Sequence, residues 1–232
     1  MSRPLGPELP DFKAPPRPGP DGMAGRYVTL RRLSADDAPA IFAAVQGRDE
    51  VWDYMTNGPF ADADGMRDWL AFGAKSEDPF FYAVTLADQG ANAPAVGYLS
   101  YLRIDPANAV IEIGHILFSP TLQRTPAASE AVMLLIAWAF DAGYRRVEWK
   151  CNALNAPSMR AAERYGFTFE GTFRQHMVIK GRSRDTAWWS ITDDEWPALS
   201  AAYETWLSPA NFDTDGRQIA SLSDIRAQIS PR

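Results

Sequence analysis

The stretch from Val110 to Lys150 constrains the fold more than any other part of the chain. Val110–Phe118 is an apolar run of strand length, broken only by Glu112 and His115. The run Ala127–Ala142 then has the length and composition of a buried helix, and Gly143 supplies the flexible residue that ends one. Arg145–Lys150 follows as a second strand. Strand, helix and strand in this order form a parallel pair joined by a crossover. A ligand is expected where the first strand gives way to the helix, at the carboxyl end of the sheet.

Around this unit the chain alternates less regularly. Tyr27–Leu33 reads as a first strand, and Ser34 caps a helix over Ser34–Val45, with Asp36 and Asp37 in its first turn. The loop Gly47–Phe60 leads to a second helix over Asp62–Lys75. Phe80–Leu86 and Ala95–Tyr101 form a hairpin across the turn-rich Asp88–Pro94. Beyond the crossover come a short helix Ser158–Tyr165 and strands Phe167–Val178 and Thr186–Ile191, separated by a turn at Lys180-Gly181-Arg182. A helix over Asp194–Trp206 closes the order. The expectation is one mixed α/β domain over residues 23–207, with a mostly antiparallel sheet and one parallel βαβ unit. Met1–Gly22 holds seven prolines and is expected to be extended or disordered, and 208–232 reads as a polar tail.

Several functions are excluded or disfavoured by composition. A net charge of −6 argues against non-specific binding to nucleic acid or to an anionic membrane. One cysteine, Cys151, and two histidines leave no internal disulfide and no thiolate zinc site, so no metal is expected. No apolar run reaches the length of about 20 residues that a membrane helix needs, and the N-terminus lacks the apolar core of a secretory signal. A cytoplasmic protein is expected, as a monomer or a homodimer. The G-x-G-x-x-G dinucleotide fingerprint is absent.

At the expected ligand position stands Gln123-Arg124-Thr125-Pro126-Ala127-Ala128-Ser129-Glu130. Thr125 can cap the helix and Pro126 can occupy its first position, where no amide hydrogen is needed. The amides of Ala127, Ala128 and Ser129 would then face an anion at the positive end of the helix dipole, with Arg124 as a mobile cation. This segment resembles the pyrophosphate loop of the GNAT acetyltransferases, Q/R-x-x-G-x-G/A, with Pro126 in place of the central glycine. Asn155-Ala156-Pro157-Ser158, followed by Gly166-Phe167, resembles the family's N-x-x-[AS]…G-F segment. Ile111-Glu112-Ile113-Gly114-His115 and Glu170-Gly171-Thr172-Phe173-Arg174 resemble strands of the branch containing the ribosomal-protein alanine N-acetyltransferases. The motifs occur in family order over about Tyr27–Ile191.

The resemblance implies a GNAT-like sheet with helices on both faces and acetyl-CoA as co-substrate. It also implies direct attack of a primary amine on the thioester, without an acyl-enzyme. The amine must lose a proton and the departing thiolate must be stabilised. Glu112, a carboxylate in an apolar strand, is the first candidate base; its alternative role is a structural pair, for instance with Arg103. His115 is the second candidate, and on a regular strand it would face away from Glu112 unless a bulge intervenes. Ser158 is expected near the sulfur, either supplying a hydroxyl or capping the short helix, because the family's tyrosine is replaced by Ala162. The resemblance places Asn155 against the pantetheine arm and a polarising backbone amide near Leu117. The resemblance also implies that the loop carrying Trp52, Tyr54 and Phe60 lines the acceptor side; Arg174, His176, Lys180, Arg182, Arg184 and Asp185 surround the final hairpin. The acceptor could be a protein N-terminus, an amino-acid derivative or a small amine. A GNAT-shaped acyl-CoA sensor without turnover is the alternative.

Overall fold

The computed structural model describes residues 3, 5–19 and 22–229. Its strands are β1 (Met23–Ala24), β2 (Val28–Arg32), β3 (Phe80–Leu86), β4 (Ala95–Asp105), β5 (Val110–Phe118), β6 (Arg146–Asn152), β7 (Thr168–Ile179) and β8 (Arg182–Thr192). They form one sheet in the order β1-β2-β3-β4-β5-β6-β8-β7. Only the central β5–β6 pair is parallel; the pairs on either side are antiparallel. The helices are α1 (Ala38–Val45), α2 (Ala63–Lys75), α3 (Pro126–Asp141), α4 (Ala156–Tyr165), α5 (Trp196–Leu207) and α6 (Leu222–Ile229). This is the mixed α/β architecture expected from the sequence. Among the described residues no helix is long and apolar enough to cross a membrane.

The sheet is covered on both faces, and the strand periodicity follows from that. On β3, Phe80, Tyr82 and Val84 enter the larger core under α3, α5 and α6, whereas Phe81 and Ala83 enter a smaller core under α1 and α2. A strand buried on both sides has no polar alternation, which is why Phe80–Leu86 reads as a continuous apolar run. α3 is buried almost all round, from Ala127 through Met133 and again at Leu135, Ile136, Ala139 and Phe140. One polar residue in it has a structural task. The Glu130 carboxylate accepts from the amides of Arg26 (2.8 Å), Tyr27 (2.6 Å) and Val28 (3.0 Å), and so fixes the start of β2. A Cβ at Gly25 would lie 2.4 Å from that carboxylate, so the neighbouring backbone can approach only as glycine.

Both ends of the chain depart from the sequence reading. Within the proline-rich lead, Pro15 and Pro18 are buried. The Tyr144 hydroxyl donates to the Pro16 carbonyl (3.0 Å) and Arg17 donates to the Ile104 carbonyl (3.3 Å). Disorder therefore does not describe this part of the lead; proline has little backbone freedom to lose on being fixed. The tail after 207 is not merely polar either. Asn211 bridges Trp206 and Ala220 through its side-chain amide, and α6 buries Leu222 and Ile225. The domain therefore runs on to Ile229.

Candidate active site

The central feature is a gap in the sheet. β5 and β6 pair in register from Val110↔Arg146 to Ile113↔Trp149 and no further, although β5 continues to Phe118 and β6 to Asn152. The cause lies in the pairing of β5 with β4. Tyr98 faces Leu117 and Ser100 faces Gly114, so His115 and Ile116 together oppose Leu99. This is a β-bulge, with His115 in a left-handed conformation at φ 48°. A bulge bends its strand and re-aims side chains.

The bulge also overrides strand parity. Ile111 and Ile113 enter the core under α3, so Glu112 points to the other face. His115 points to that same face, where its ring lies 5.4 Å from Phe81, centroid to centroid. Ser100 Oγ donates to the Gly114 carbonyl (3.1 Å) and lies 3.2 Å from His115 Nδ1. With the only hydroxyl proton so used, Nδ1–H of the imidazole is the donor to Ser100, which leaves Nε2 as an acceptor. Burial, reinforced by the charge of Arg103, pushes the His115 pKa down to about 4, so near neutral pH the ring is uncharged.

Glu112 is 3% exposed and sits in a charged network. Arg103 Nη1 donates to its Oε2 (2.6 Å), and Lys150 Nζ lies 3.1 Å from the same oxygen and 2.6 Å from Glu148. Arg146 continues the chain to Glu148 (2.9 Å) and, in a two-point pair, to Glu170. Burial pushes the Glu112 pKa up against the pull of Lys150 and Arg103. A buried carboxylate that still favours its proton more than usual is suited to accept one. Arg103 was legible as a partner of Glu112; Lys150 was not. Its side chain is only 6% exposed, and its ammonium stands 3.7 Å from the centre of the Trp188 ring.

At the carboxyl end of β5, the helix cap is the expected one, but the set of free amides differs in part. Thr125 caps α3: its Oγ1 accepts from the Ala128 amide (3.1 Å), and Pro126 follows at the first helical position. The Ser129 amide turns back to the Thr125 carbonyl at 3.4 Å. Ala128 and Ser129 therefore do not present free donors. The unpaired amides belong to Arg124, Thr125 and Ala127: none of them has an acceptor among the described residues. Arg124 is left-handed at φ 64°, a geometry in which consecutive N–H groups line a small concavity. Gln123 holds the loop to the strand end by donating to the Phe118 carbonyl (2.8 Å).

On the β6 side, Asn155 rather than Ser158 caps α4, since Asn155 Oδ1 accepts from the Ser158 amide (3.1 Å). Asn155 Nδ2 has no acceptor among the described residues. Ser158 Oγ accepts from Trp149 Nε1 (3.0 Å) and contacts the Cys151 thiol, which burial pushes up. Leu117 is buried in the smaller core. Among the described residues no group of three His, Cys, Asp or Glu is placed to hold a metal ion.

A cleft of about 390 Å³ opens between the loop after α1 and the β7–β8 hairpin. Trp52, Tyr54, Asn152, Leu154, Lys180 and Arg184 are among its walls. The loop is latched at two points: Tyr54 donates to the Leu154 carbonyl (3.1 Å) and Lys180 to the Trp52 carbonyl (2.9 Å). Phe60 packs on Trp52 behind the cleft, 5.4 Å between ring centres. Arg174 and His176 line a separate, shallower depression, and the carboxylate of Asp185 is used by the Gln175 amide (2.7 Å).

A sheet split beside a bulge, with a capped helix at the end of the split, defines a class. Residues 28–168 match the family model described as "Acetyltransferase (GNAT) domain", which is more than half of the chain. The chain belongs to the GNAT acetyltransferases. It is similar to the crystal structure of a GCN5-related N-acetyltransferase from Brucella melitensis, at 45% identity and TM-score 0.90, covering 94% of this chain and 99% of that one. It is also 28% identical over 175 residues to the uncharacterized N-acetyltransferase p20 of Bacillus licheniformis, covering 73% of this chain and 94% of that protein. A third relative is the prophage-derived uncharacterized N-acetyltransferase YokL of Bacillus subtilis, 26% identical over 172 residues, or 74% of this chain and 93% of that protein.

Proposed function

We propose that this acetyltransferase uses acetyl-CoA and transfers the acetyl group to a primary amine by direct attack. The observation that carries the reading is the gap between β5 and β6, which ends on the free amides of Arg124, Thr125 and Ala127. Those three amides, with the side chain of Arg124, are the groups that would hold a pyrophosphate. The unpaired edge of β5 towards Leu117 and Nδ2 of Asn155 would hold the amides of the pantetheine arm, as an added strand is held. Bound acetyl-CoA supplies a thioester acyl group and a thiolate as leaving group.

The chain's own residues then have separable tasks. Glu112 takes the proton of the incoming ammonium, directly or through one water. Arg103 and Lys150 keep its carboxylate oriented. His115, neutral and tied to Ser100, fixes the bulge beside it. Ser158 accepts from Trp149, and its own hydrogen, which lies against the Cys151 thiol, would turn to meet the departing sulfur. The segments Ile111–His115 and Glu170–Arg174 support a place near the ribosomal-protein alanine N-acetyltransferases, and with it an α-amine as acceptor.

The test separates the cap of α4 from the coenzyme contact. Asn155→Asp keeps an acceptor for the Ser158 amide and removes the Nδ2 donor, whereas Asn155→Ala removes both. Both variants should weaken acetyl-CoA binding about tenfold by calorimetry, the worth of roughly one good hydrogen bond. Only the alanine variant should also lose about 1 kcal/mol of stability through the missing cap. Unchanged affinity in the aspartate variant removes Asn155 from the coenzyme site.

A further inference from the structure

Five charged residues line the cleft between the loop after α1 and the β7–β8 hairpin: Asp49, Asp53, Lys180, Arg182 and Arg184. The first four are exposed, and their charges sum to zero. Lys180 is held near Asp53 and is bonded to the Trp52 carbonyl. Arg184 differs from all of them. It is partly buried, its Nε is shielded from water, and its guanidinium has no hydrogen-bond or ion-pair partner among the described residues.

The surroundings do not neutralise it. Behind the cleft a partly buried network holds the cations Arg103, Arg146 and Lys150 against the anions Glu112, Glu148 and Glu170, three against three, each already in a pair. Asp185, the next residue on β8, alternates to the opposite face of the strand, where it accepts from the Gln175 amide. Arg184 is thus one positive charge in excess on this face, and Glu112 and Cys151 lie within its electrostatic reach. On β8 the side chains at 184, 186 and 188 share a face, and Trp188 Nε1 is a second buried donor without an acceptor. An unpaired guanidinium in a low-dielectric wall is costly, and its planar fork of donors matches a carboxylate better than any other small anionic group short of phosphate.

We infer that the acceptor is an amine that also carries a carboxylate, and that Arg184 binds this carboxylate so that the amine is presented towards Glu112. The inference rests on the acetyltransfer reading and narrows its acceptor to small amino acids or short peptides with a free carboxylate. Arg184 is a specificity-determining residue; it takes no part in proton transfer.

The test compares acids with their own carboxamides. L-Amino acids and dipeptides, each paired with its C-terminal amide, are titrated against the full chain with bound acetyl-CoA, following the fluorescence of Trp52 in the cleft wall and of the other tryptophans. At least one acid should bind 10- to 100-fold more tightly than its amide, the range of a charge-assisted hydrogen bond to a buried group. Arg184→Gln should abolish that preference by weakening the acids alone, and Arg184→Lys should restore part of it, with melting curves confirming that both variants fold. Equal binding of acids and amides to the wild type overturns the inference, as does a preference that survives in Arg184→Gln. Thiol release is recorded on the same samples. Acid-selective binding without thiol release from any pair would sink the acetyltransfer reading and leave the Arg184 site standing, so the two failures are distinguishable.

Discussion

Glu112→Gln is expected to lower kcat by about 10²- to 10³-fold while acetyl-CoA affinity stays within about threefold, the pattern of a lost general base. Glutamine keeps the shape of glutamate and an oxygen that can still accept from Arg103, but it cannot take a proton. The carboxylate it replaces is 3% exposed and stands on the face of β5 that the His115 bulge turns towards the acceptor side. Burial outweighs two neighbouring cations and raises its pKa, which moves it towards the pH at which a base both remains ionised and drives proton transfer. The same contacts also suit a purely structural carboxylate, and the variant tells the two apart. A structural Glu112 would leave kcat near that of the wild type at every pH and lower only the melting temperature, because Arg103 and Lys150 would lose the negative charge of the oxygen they share.

Glu130→Ala should have the largest effect on stability. It removes the acceptor for three amides, those of Arg26, Tyr27 and Val28, at the start of β2. Leaving such donors unpaired costs roughly 3–5 kcal/mol in all. For a domain of this size that corresponds to a fall of about 10 °C in Tm. Acetyl-CoA affinity measured well below the new Tm should change little, since the carboxylate faces β2 and not the loop. A Tm within about 3 °C of the wild type would show that β2 is held by other means.

These two glutamates also show what could be read in the sequence. Phe80–Leu86 and Val110–Phe118 occupy the very residues expected of them, because a strand buried on both faces carries an apolar run with sharp polar ends. Glu112 stood out against such a run. Glu130 did not, since its partners are backbone amides about 100 residues earlier, and backbone amides leave no mark in the sequence. Of the free amides, that of Ala127 was expected, whereas Arg124 and Thr125 stand where Ala128 and Ser129 were expected, for a similar reason. A proline after a threonine announces a capped helix, but nothing announces that a non-glycine residue such as Arg124 will adopt a left-handed turn. α6 escaped notice because eight residues with two inward apolar side chains give too short a period to detect. Lys150 was hidden by its charge, which ordinarily marks an exposed strand face; here that face lies under Trp188 and between two carboxylates.

The proposed reaction is acetyl transfer from acetyl-CoA to an amine at the gap between β5 and β6. Amine-dependent release of free coenzyme A thiol, followed continuously with a thiol reagent and matched to the N-acetyl product by mass, tests this most directly. The prediction is saturable release that requires a primary amine, gives one N-acetyl group per thiol, and falls at least a hundredfold in Glu112→Gln. Tight acetyl-CoA binding with no amine-dependent release, from any amino acid, peptide or small amine, would contradict it.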